Sequence, residues 1–412
     1  RILLAAHWDT RPWADMENTE VILTLGKKQV KRGGINMAAG NKQIPPEDTL
    51  ASLLLTLTAL SGEFPTAQIS RLPSTGAYQE KILKSLKGEK LLRTYYRDGL
   101  RALRLTTAAK KLLVDKWPDL FLPYLSGSTE TNVLKSEVPR RLRLHRMAEV
   151  LVTMFNANVS VFPWEKPAVF SPTPLSAAPC IGRPAYYSSR EVKGLGAQAV
   201  KIRGSRSTGL LLTDGTIFTI YNTGPFAMKW EYKAEMRLKA MLQTELCQRR
   251  LPGQYQNAVL SAIVFGQDME RMIPLMNDGG GQRDYFVLDG NYQHFYYLTS
   301  DHKGELILRL LCDAEQRAVL DDILSQDLSP CYPDWSVEND AMDGDSPVLF
   351  AYTCDMPRIK RFDTALELHG KTGTLFCFDF QVDALKQICG QRVKIESLDY
   401  EKVKALLFDG DF

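Results

Sequence analysis

The stretch of chain that decides the fold is residues 91–105, which read LLRTYYRDGLRALRL. Two runs of alternating apolar and polar residues flank the dipeptide Asp98-Gly99. This dipeptide favours the two-residue turn of a β-hairpin, because both of its residues tolerate a positive φ. The sequence therefore predicts two antiparallel strands joined at Asp98 and Gly99.

Helical patterns lie on both sides of the predicted hairpin. An apolar helix at 49–57 is followed by a short segment at 65–72, and a Lys-bearing helix at 74–86 leads into the hairpin. A further helix begins at Thr106. Three helices and a two-stranded hairpin in this order are typical of a winged helix-turn-helix, which we expect at residues 46–125.

The positive charge of the chain is concentrated in this module. From Arg71 to Lys111 there are eleven Lys and Arg residues against three Asp and Glu residues. The whole chain carries a formal net charge of only +3, so the remainder is net acidic. A basic cluster confined to one small module is typical of proteins that bind nucleic acid, and we expect double-stranded DNA as the partner.

Helical register selects the candidate DNA contacts. Apolar residues recur at four-residue spacing within 74–86 and should face the core, which turns Gln79, Lys81 and Lys84 towards solvent or DNA. Glutamine can bond an adenine edge, while lysine and arginine contact phosphate or guanine. The predicted DNA-binding residues are Gln79, Lys81, Lys84, Arg93, Arg97, Arg101 and Arg104. A protein-binding module or a merely solvated basic surface remains an alternative.

The rest of the chain divides by composition. We expect a flexible basic arm at 16–45, a basic helix at 138–151 followed by a Pro-rich linker within 126–184, and an α/β domain with a mixed sheet at 185–412. The fold class is thus α+β. Candidate strands lie at 197–202, 209–212, 217–221, 259–265, 285–288, 295–298, 348–353, 375–380 and 393–395, and candidate helices at 229–248, 314–326, 358–368, 382–389 and 399–407.

The first fifteen residues resemble the first metal-binding strand of zinc-dependent aminopeptidases and glutaminyl-cyclase-like proteins. The resemblance implies that His7 would ligate zinc and that Asp9 would support the site. The bridging Asp and the paired Glu-Glu of that family do not follow, and zinc needs three or more convergent protein ligands. We therefore expect no metal, and interpret residues 1–15 as a stray fragment; a zinc hydrolase stays an alternative.

Other chemistry has weaker signals. Asp214 and Glu235 could serve a DNA-processing nuclease, but no Glu-x-Lys pair accompanies them, and Asp214-Gly215 fits a hairpin turn. The sequence therefore favours a protein without catalytic residues or cofactors. Seven cysteines without a Cys-x-x-Cys spacing favour a reducing compartment, which we interpret as the cytoplasm. No apolar run in the sequence is long enough to span a bilayer, so we expect no membrane partner.

The helix-turn-helix, the hairpin ending in Leu103-Arg104-Leu105-Thr106 and the following α/β domain together resemble the replication-relaxation family of plasmids and integrative elements of Gram-positive bacteria. The resemblance implies a DNA-binding protein of a mobile element that acts in plasmid replication, DNA relaxation or conjugative transfer. It also implies other replication or transfer proteins as candidate partners.

Overall fold

The computed structural model describes residues 43–126, 136–171, 180–192, 204–224, 228–277, 286, 288, 290–331 and 337–408. The predicted N-terminal fragment with His7 and Asp9, and nearly all of the predicted basic arm, lie outside these residues.

The first half of the N-terminal module contains an apolar helix and, after a short strand and a 3-10 helix, a polar helix. The Thr49 side chain caps the first helix by accepting a hydrogen bond from the backbone N–H of Ser52 at 3.2 Å, and Gly62 ends it with a φ of +82°. The elements are α1 (Leu50–Ser61), β1 (Phe64–Pro65), a 3-10 helix (Thr66–Arg71) and α2 (Gly76–Gly88).

The predicted hairpin is confirmed as β2 (Leu92–Arg97) and β3 (Leu100–Leu105). Asp98 and Gly99 form its turn with φ values of +52° and +76°, which is the conformation that this dipeptide favours. The short strand β1 pairs with β3, so that β3 lies in the middle of a three-stranded sheet of order β1-β3-β2.

Three helices follow the hairpin: α3 (Thr107–Lys116), α4 (Pro118–Leu125) and α5 (Val138–Asn156). The predicted basic helix at 138–151 is the first part of α5. Its basic residues do not all face solvent, because the side chain of Arg141 is completely buried. The helix packs against α1, β1 and the 3-10 helix on one side and against the α/β region on the other, so little of it faces solvent.

The first sheet of the α/β region has the strand order β4-β5-β6-β7-β8. Its first three strands are antiparallel, and β6, β7 and β8 run parallel, so their carboxyl ends meet at one edge. The strands are β4 (Ala185–Ser188), β5 (Gly209–Leu212), β6 (Thr216–Asn222), β7 (Val259–Gly266) and β8 (Phe295–Thr299). The accompanying helices are α6 (Ser189–Val192), α7 (Tyr232–Leu242) with its π-helical continuation (Gln243–Arg250), α8 (Pro252–Tyr255), a 3-10 helix (Met269–Arg271), α9 (Met272–Asn277) and α10 (His302–Cys312).

A second five-stranded sheet has the order β13-β12-β11-β10-β9, with β11, β12 and β13 parallel. The strands are β9 (Ser329–Pro330), β10 (Ala341–Asp343), β11 (Ser346–Phe350), β12 (Gly373–Phe378) and β13 (Val393–Leu398). The helices are α11 (Ala314–Ser325), α12 (Met356–His369), a 3-10 helix (Asp379–Gln381), α13 (Val382–Ile388) and α14 (Tyr400–Phe408). The sequence predicts one mixed sheet in the α/β region, whereas the described strands form two.

Most predicted α/β elements are confirmed to within a few residues. The candidate strand at 197–202 lies outside the described residues, as does most of 285–288, of which residues 286 and 288 belong to no strand. The elements that the sequence analysis did not predict are β4, β9, β10, α6, α8, α9 and α10.

The core joins the N-terminal module to the α/β region. One cluster of buried apolar side chains extends from Leu50 in α1 to Phe408 in α14, and Leu151 and Met154 of α5 belong to it. Phe162 and Phe170, within the predicted Pro-rich linker, are also buried. No helix of the described residues is both long and apolar enough to cross a bilayer.

Candidate nucleic-acid interface

The exposed face of α2 carries two of the predicted contacts. Lys81 and Lys84 are exposed, whereas Ile82 and Leu86 are buried in the core of the module, as their spacing predicts. No ion pair within the described parts of the chain involves either lysine. Both ammonium groups are thus available to an anionic partner.

Gln79 does not belong to this face, and its prediction as a DNA contact is wrong. Its side chain is only 6% exposed, and its Nε2 donates hydrogen bonds to the carbonyl oxygens of Leu72 at 2.8 Å and Ser74 at 3.2 Å. The buried stripe of α2 thus runs through Gln79, Ile82 and Leu86 at spacings of three and four. Gln79 fixes the turn before α2 and cannot reach an adenine edge.

The hairpin presents three exposed arginines, Arg93, Arg97 and Arg101. Arg101 lies over the ring of Tyr96 at 5.7 Å, and that ring is 64% exposed. Arg97 forms an exposed ion pair with Asp98 at 3.3 Å, a contact that contributes little in water. The hairpin therefore adds exposed guanidinium groups and one exposed aromatic ring beside α2, which contacts β2.

Arg104 is the second wrong prediction, because its side chain is only 3% exposed. It lies in the central strand β3, where its Nε donates to Oε2 of Glu63 at 2.8 Å. A guanidinium that is buried and paired in this way stabilises the module and cannot contact DNA.

Lys110 of α3 is a cation that the sequence analysis did not select. Burial lowers its pKa, and the like charges of Arg93 and Arg104 lower it further. This shift has the direction expected in a region of positive potential. The basic surface, defined as Lys81, Lys84, Arg93, Arg97 and Arg101, thus borders a further positive charge.

Beneath the hairpin lies a buried ionic cluster centred on Glu63. Its Oε1 accepts from Arg141 Nη2 at 2.7 Å and contacts His145 Nε2 at 2.8 Å, and its Oε2 accepts from Arg104. Burial alone would raise the pKa of Glu63, but the hydrogen bonds from His145, Arg141 and Arg104 outweigh it and lower the pKa to about 2. The carboxylate is therefore ionised at neutral and at mildly acidic pH.

Arg141 connects this cluster to the tip of the hairpin. Its Nη1 donates to the carbonyl oxygen of Arg97 at 2.7 Å, and its Nη2 donates to that of Leu100 at 3.0 Å. The ring of Tyr95 has the guanidinium carbon of Arg104 at 3.7 Å and that of Arg141 at 4.7 Å from its centroid. Helix α5 therefore fixes the two residues that flank the turn.

The other end of α5 holds the chain just before α2. Thr153 Oγ1 accepts from Arg71 Nη2 at 2.9 Å, and Asn156 Nδ2 donates to the carbonyl oxygen of Arg71 at 3.0 Å. Arg71 also pairs with Glu305 of α10. One helix thus anchors both elements of the basic surface.

The acidic residues considered for a nuclease do not converge. Asp214 is exposed in the β5–β6 turn, where Gly215 has a φ of +75°. Glu235 is completely buried and accepts hydrogen bonds from Tyr221 Oη at 2.7 Å and from Ser205 Oγ at 2.9 Å. Asp214 and Tyr221 lie at opposite ends of β6, about 20 Å apart at ~3.3 Å per residue.

Metal ligation has no support in the described ranges. Within them, no group of three or more His, Cys, Asp or Glu side chains could hold a metal ion. The only residues that the sequence offered as metal candidates, His7 and Asp9, lie outside these ranges.

Comparisons with known proteins found no matching family model, no matching curated protein and no matching solved structure.

Proposed function

We propose that residues 46–125 form a winged helix-turn-helix that binds double-stranded DNA. The observation that carries the proposal is the basic surface, whose five exposed cations come from one helix and one adjoining hairpin. In this arrangement α2 enters the major groove and the hairpin follows the phosphate backbone, as in other helix-turn-helix proteins with a wing.

The chemistry of the surface favours contacts to phosphate. Since Gln79 is buried, the polar side chains of α2 available for base contacts include Lys81 and Lys84, which bind phosphate or the O6 and N7 atoms of guanine. The three arginines of the hairpin suit bidentate phosphate contacts. Counterion release would therefore supply most of the affinity, and the preference for one DNA sequence over another would be modest.

In the cell we propose a role on a mobile element, in plasmid replication, DNA relaxation or conjugative transfer. Support comes from the resemblance to the replication-relaxation family together with the basic surface. The α/β region would then act as a scaffold for other replication or transfer proteins.

The salt dependence of DNA binding tests the proposal. Replacing Lys81, Lys84, Arg93, Arg97 and Arg101 with Ala should flatten the log–log slope of affinity against salt by several units, since each lost phosphate contact removes about one unit. The matched control replaces five exposed cations of the second-sheet region: Lys360, Arg361, Lys386, Lys394 and Lys402. The proposal fails if the first variant, folded by circular dichroism, retains the affinity and slope of the wild type.

A further inference from the structure

Arg146 occupies an unusual position on the side of α5 that faces the first sheet. Gly224, just beyond the end of β6, has a φ of +61°, and a Cβ atom built on it would lie 2.5 Å from Arg146 Nε. The guanidinium group therefore lies directly against the backbone of Gly224. Any larger residue at position 224 would displace it.

This guanidinium has no partner among the described residues. Its Nε is buried without a hydrogen-bond partner, and no ion pair within 4.0 Å reaches the side chain. A buried N–H group without a hydrogen-bond partner costs free energy, so the position of this side chain calls for an acceptor.

The nearest carboxylate is already engaged. Glu149, one turn further along α5, accepts a hydrogen bond from Asn222 Nδ2 at 2.8 Å, and Asn222 Oδ1 accepts from the backbone N–H of Gly224 at 2.8 Å. Burial lowers the pKa of Arg146; Glu149 raises it, and the charge of Arg206 lowers it further. Arg206 is exposed, and its backbone N–H donates to Oε1 of the buried Glu235 at 2.8 Å, so its guanidinium group lies near the end of β6 together with Arg146.

The position in the sheet is one where ligands bind in α/β proteins. Gly224 follows β6 at the edge where the carboxyl ends of β6, β7 and β8 meet, and such edges form the binding crevices of open parallel sheets. At the same edge, Ser300 donates its N–H to the Gly266 carbonyl at 2.8 Å, while its buried hydroxyl has no hydrogen-bond partner among the described residues. A second unsatisfied polar group thus lies at this edge, about 10 Å away at the usual strand spacing.

We propose that Arg146 and Arg206 bind a phosphate group at the carboxyl edge of the first sheet. The planar guanidinium group pairs with phosphate bidentately, and a second guanidinium group close to it adds to the attraction for an anion. The phosphate belongs either to a free nucleotide or to a nucleic-acid strand. The site is separate from the basic surface and does not depend on the proposed function.

Calorimetric titration of the full chain tests this site with inorganic phosphate and with adenosine 5′-monophosphate. A single-stranded oligonucleotide is titrated into the variant that lacks the five cations of the basic surface. We expect saturable binding of at least one probe, weakened about tenfold or more by Arg206→Ala, which alters an exposed residue, and by Arg146→Lys, which keeps the charge but loses the planar fork. The matched control is Arg140→Ala on the same helix, whose exposed side chain pairs with Glu137, and it should leave binding unchanged.

The probes separate the two sources of phosphate. Binding of inorganic phosphate or the mononucleotide without the oligonucleotide identifies a free ligand, whereas binding of the oligonucleotide in the five-site variant identifies a strand; either result supports the site. No saturable binding of any probe by folded protein overturns the proposal. Equal affinities in the wild type, Arg206→Ala and Arg146→Lys overturn it as well.

Discussion

Arg141 donates a hydrogen bond to the backbone carbonyl of Arg97 at 2.7 Å, although the two residues are 44 positions apart in the sequence. The donor is completely buried and the side chain of the acceptor is exposed on the basic surface. A buried cation thus orients the backbone from which an exposed cation projects. The shape of the basic surface therefore depends on a residue that DNA would never touch.

Replacing Arg141 should destabilise the protein strongly. Arg141→Ala removes one counter-ion of the buried Glu63 and two hydrogen bonds to carbonyl oxygens at the hairpin tip, so we expect a loss of about 3–5 kcal/mol in the free energy of unfolding. Urea denaturation measures this value. Arg140→Ala, next to it but exposed, should cost less than about 0.5 kcal/mol. Equal stabilities of the two variants would contradict the structural role of Arg141.

Substitutions at Gln79 and Lys84, both in α2, should affect different properties of the protein. Gln79→Ala should lower the free energy of unfolding by about 1–2 kcal/mol, because two hydrogen bonds that fix the turn before α2 are lost. Lys84→Ala should leave stability unchanged within about 0.5 kcal/mol and reduce the salt slope of DNA binding by about one unit. Thermal unfolding and binding titrations at several salt concentrations measure both. A stable Gln79→Ala protein with altered base preference would reverse this assignment.

The acid stability of the protein should depend on Glu63. Its pKa falls from an ordinary value of 4.5 to about 2 on folding, so its ionised form stabilises the native state above pH 4.5. This stabilisation, about 3 kcal/mol by linkage, is lost as the pH falls from 4.5 towards 2. Denaturation of the wild type and Glu63→Gln between pH 7 and pH 2.5 should show a stability difference that narrows within that window. A difference that is constant with pH would contradict it.

Asp214 and Glu235 should not act together on DNA. Asp214 precedes β6, whereas Glu235 contacts Tyr221 near the other end of that strand, so supercoiled plasmid should stay intact with the protein in Mg²⁺ or Mn²⁺. Asp214→Asn should unfold like the wild type, whereas Glu235→Gln should change stability measurably, since Glu235 joins Tyr221 and Ser205 in a buried network. Plasmid cleavage that disappears in either variant, with DNA binding retained, would revive the nuclease hypothesis.

Local signals predicted the hairpin and the exposed cations. The conformation of Asp98-Gly99 depends on the dipeptide itself, and the exposure of Lys81 and Lys84 depends on helical period alone. The prediction that Gln79 is exposed was wrong because the helical period gives the centre of a buried face and not its width. A polar residue at the margin of that face is buried when its amide finds carbonyl partners.

The failures at Arg104 and Arg141 have a non-local cause. The two-residue strand β1 is too short to carry an alternating pattern, yet its pairing makes β3 the central strand and buries Arg104. Burial of both arginines is tolerated because Glu63, 41 and 78 positions upstream, supplies the opposite charge. No local pattern in the sequence predicts these pairings. The weak signals present are a lone Glu after an apolar helix and polar side chains at helical spacing along α5.

Helix α5 has a consequence for communication through the molecule. It contacts the hairpin tip through Arg141 and the chain before α2 through Asn156, so both ends of the basic surface are fastened to one 19-residue helix, about 28 Å long. The same helix carries Arg146 towards the first sheet. A displacement of α5 from the sheet side would change the spacing of the two fastened elements at once. Binding of an anion at Arg146 would then change the affinity of the basic surface for DNA, and binding of DNA would change the affinity for the anion by the same factor.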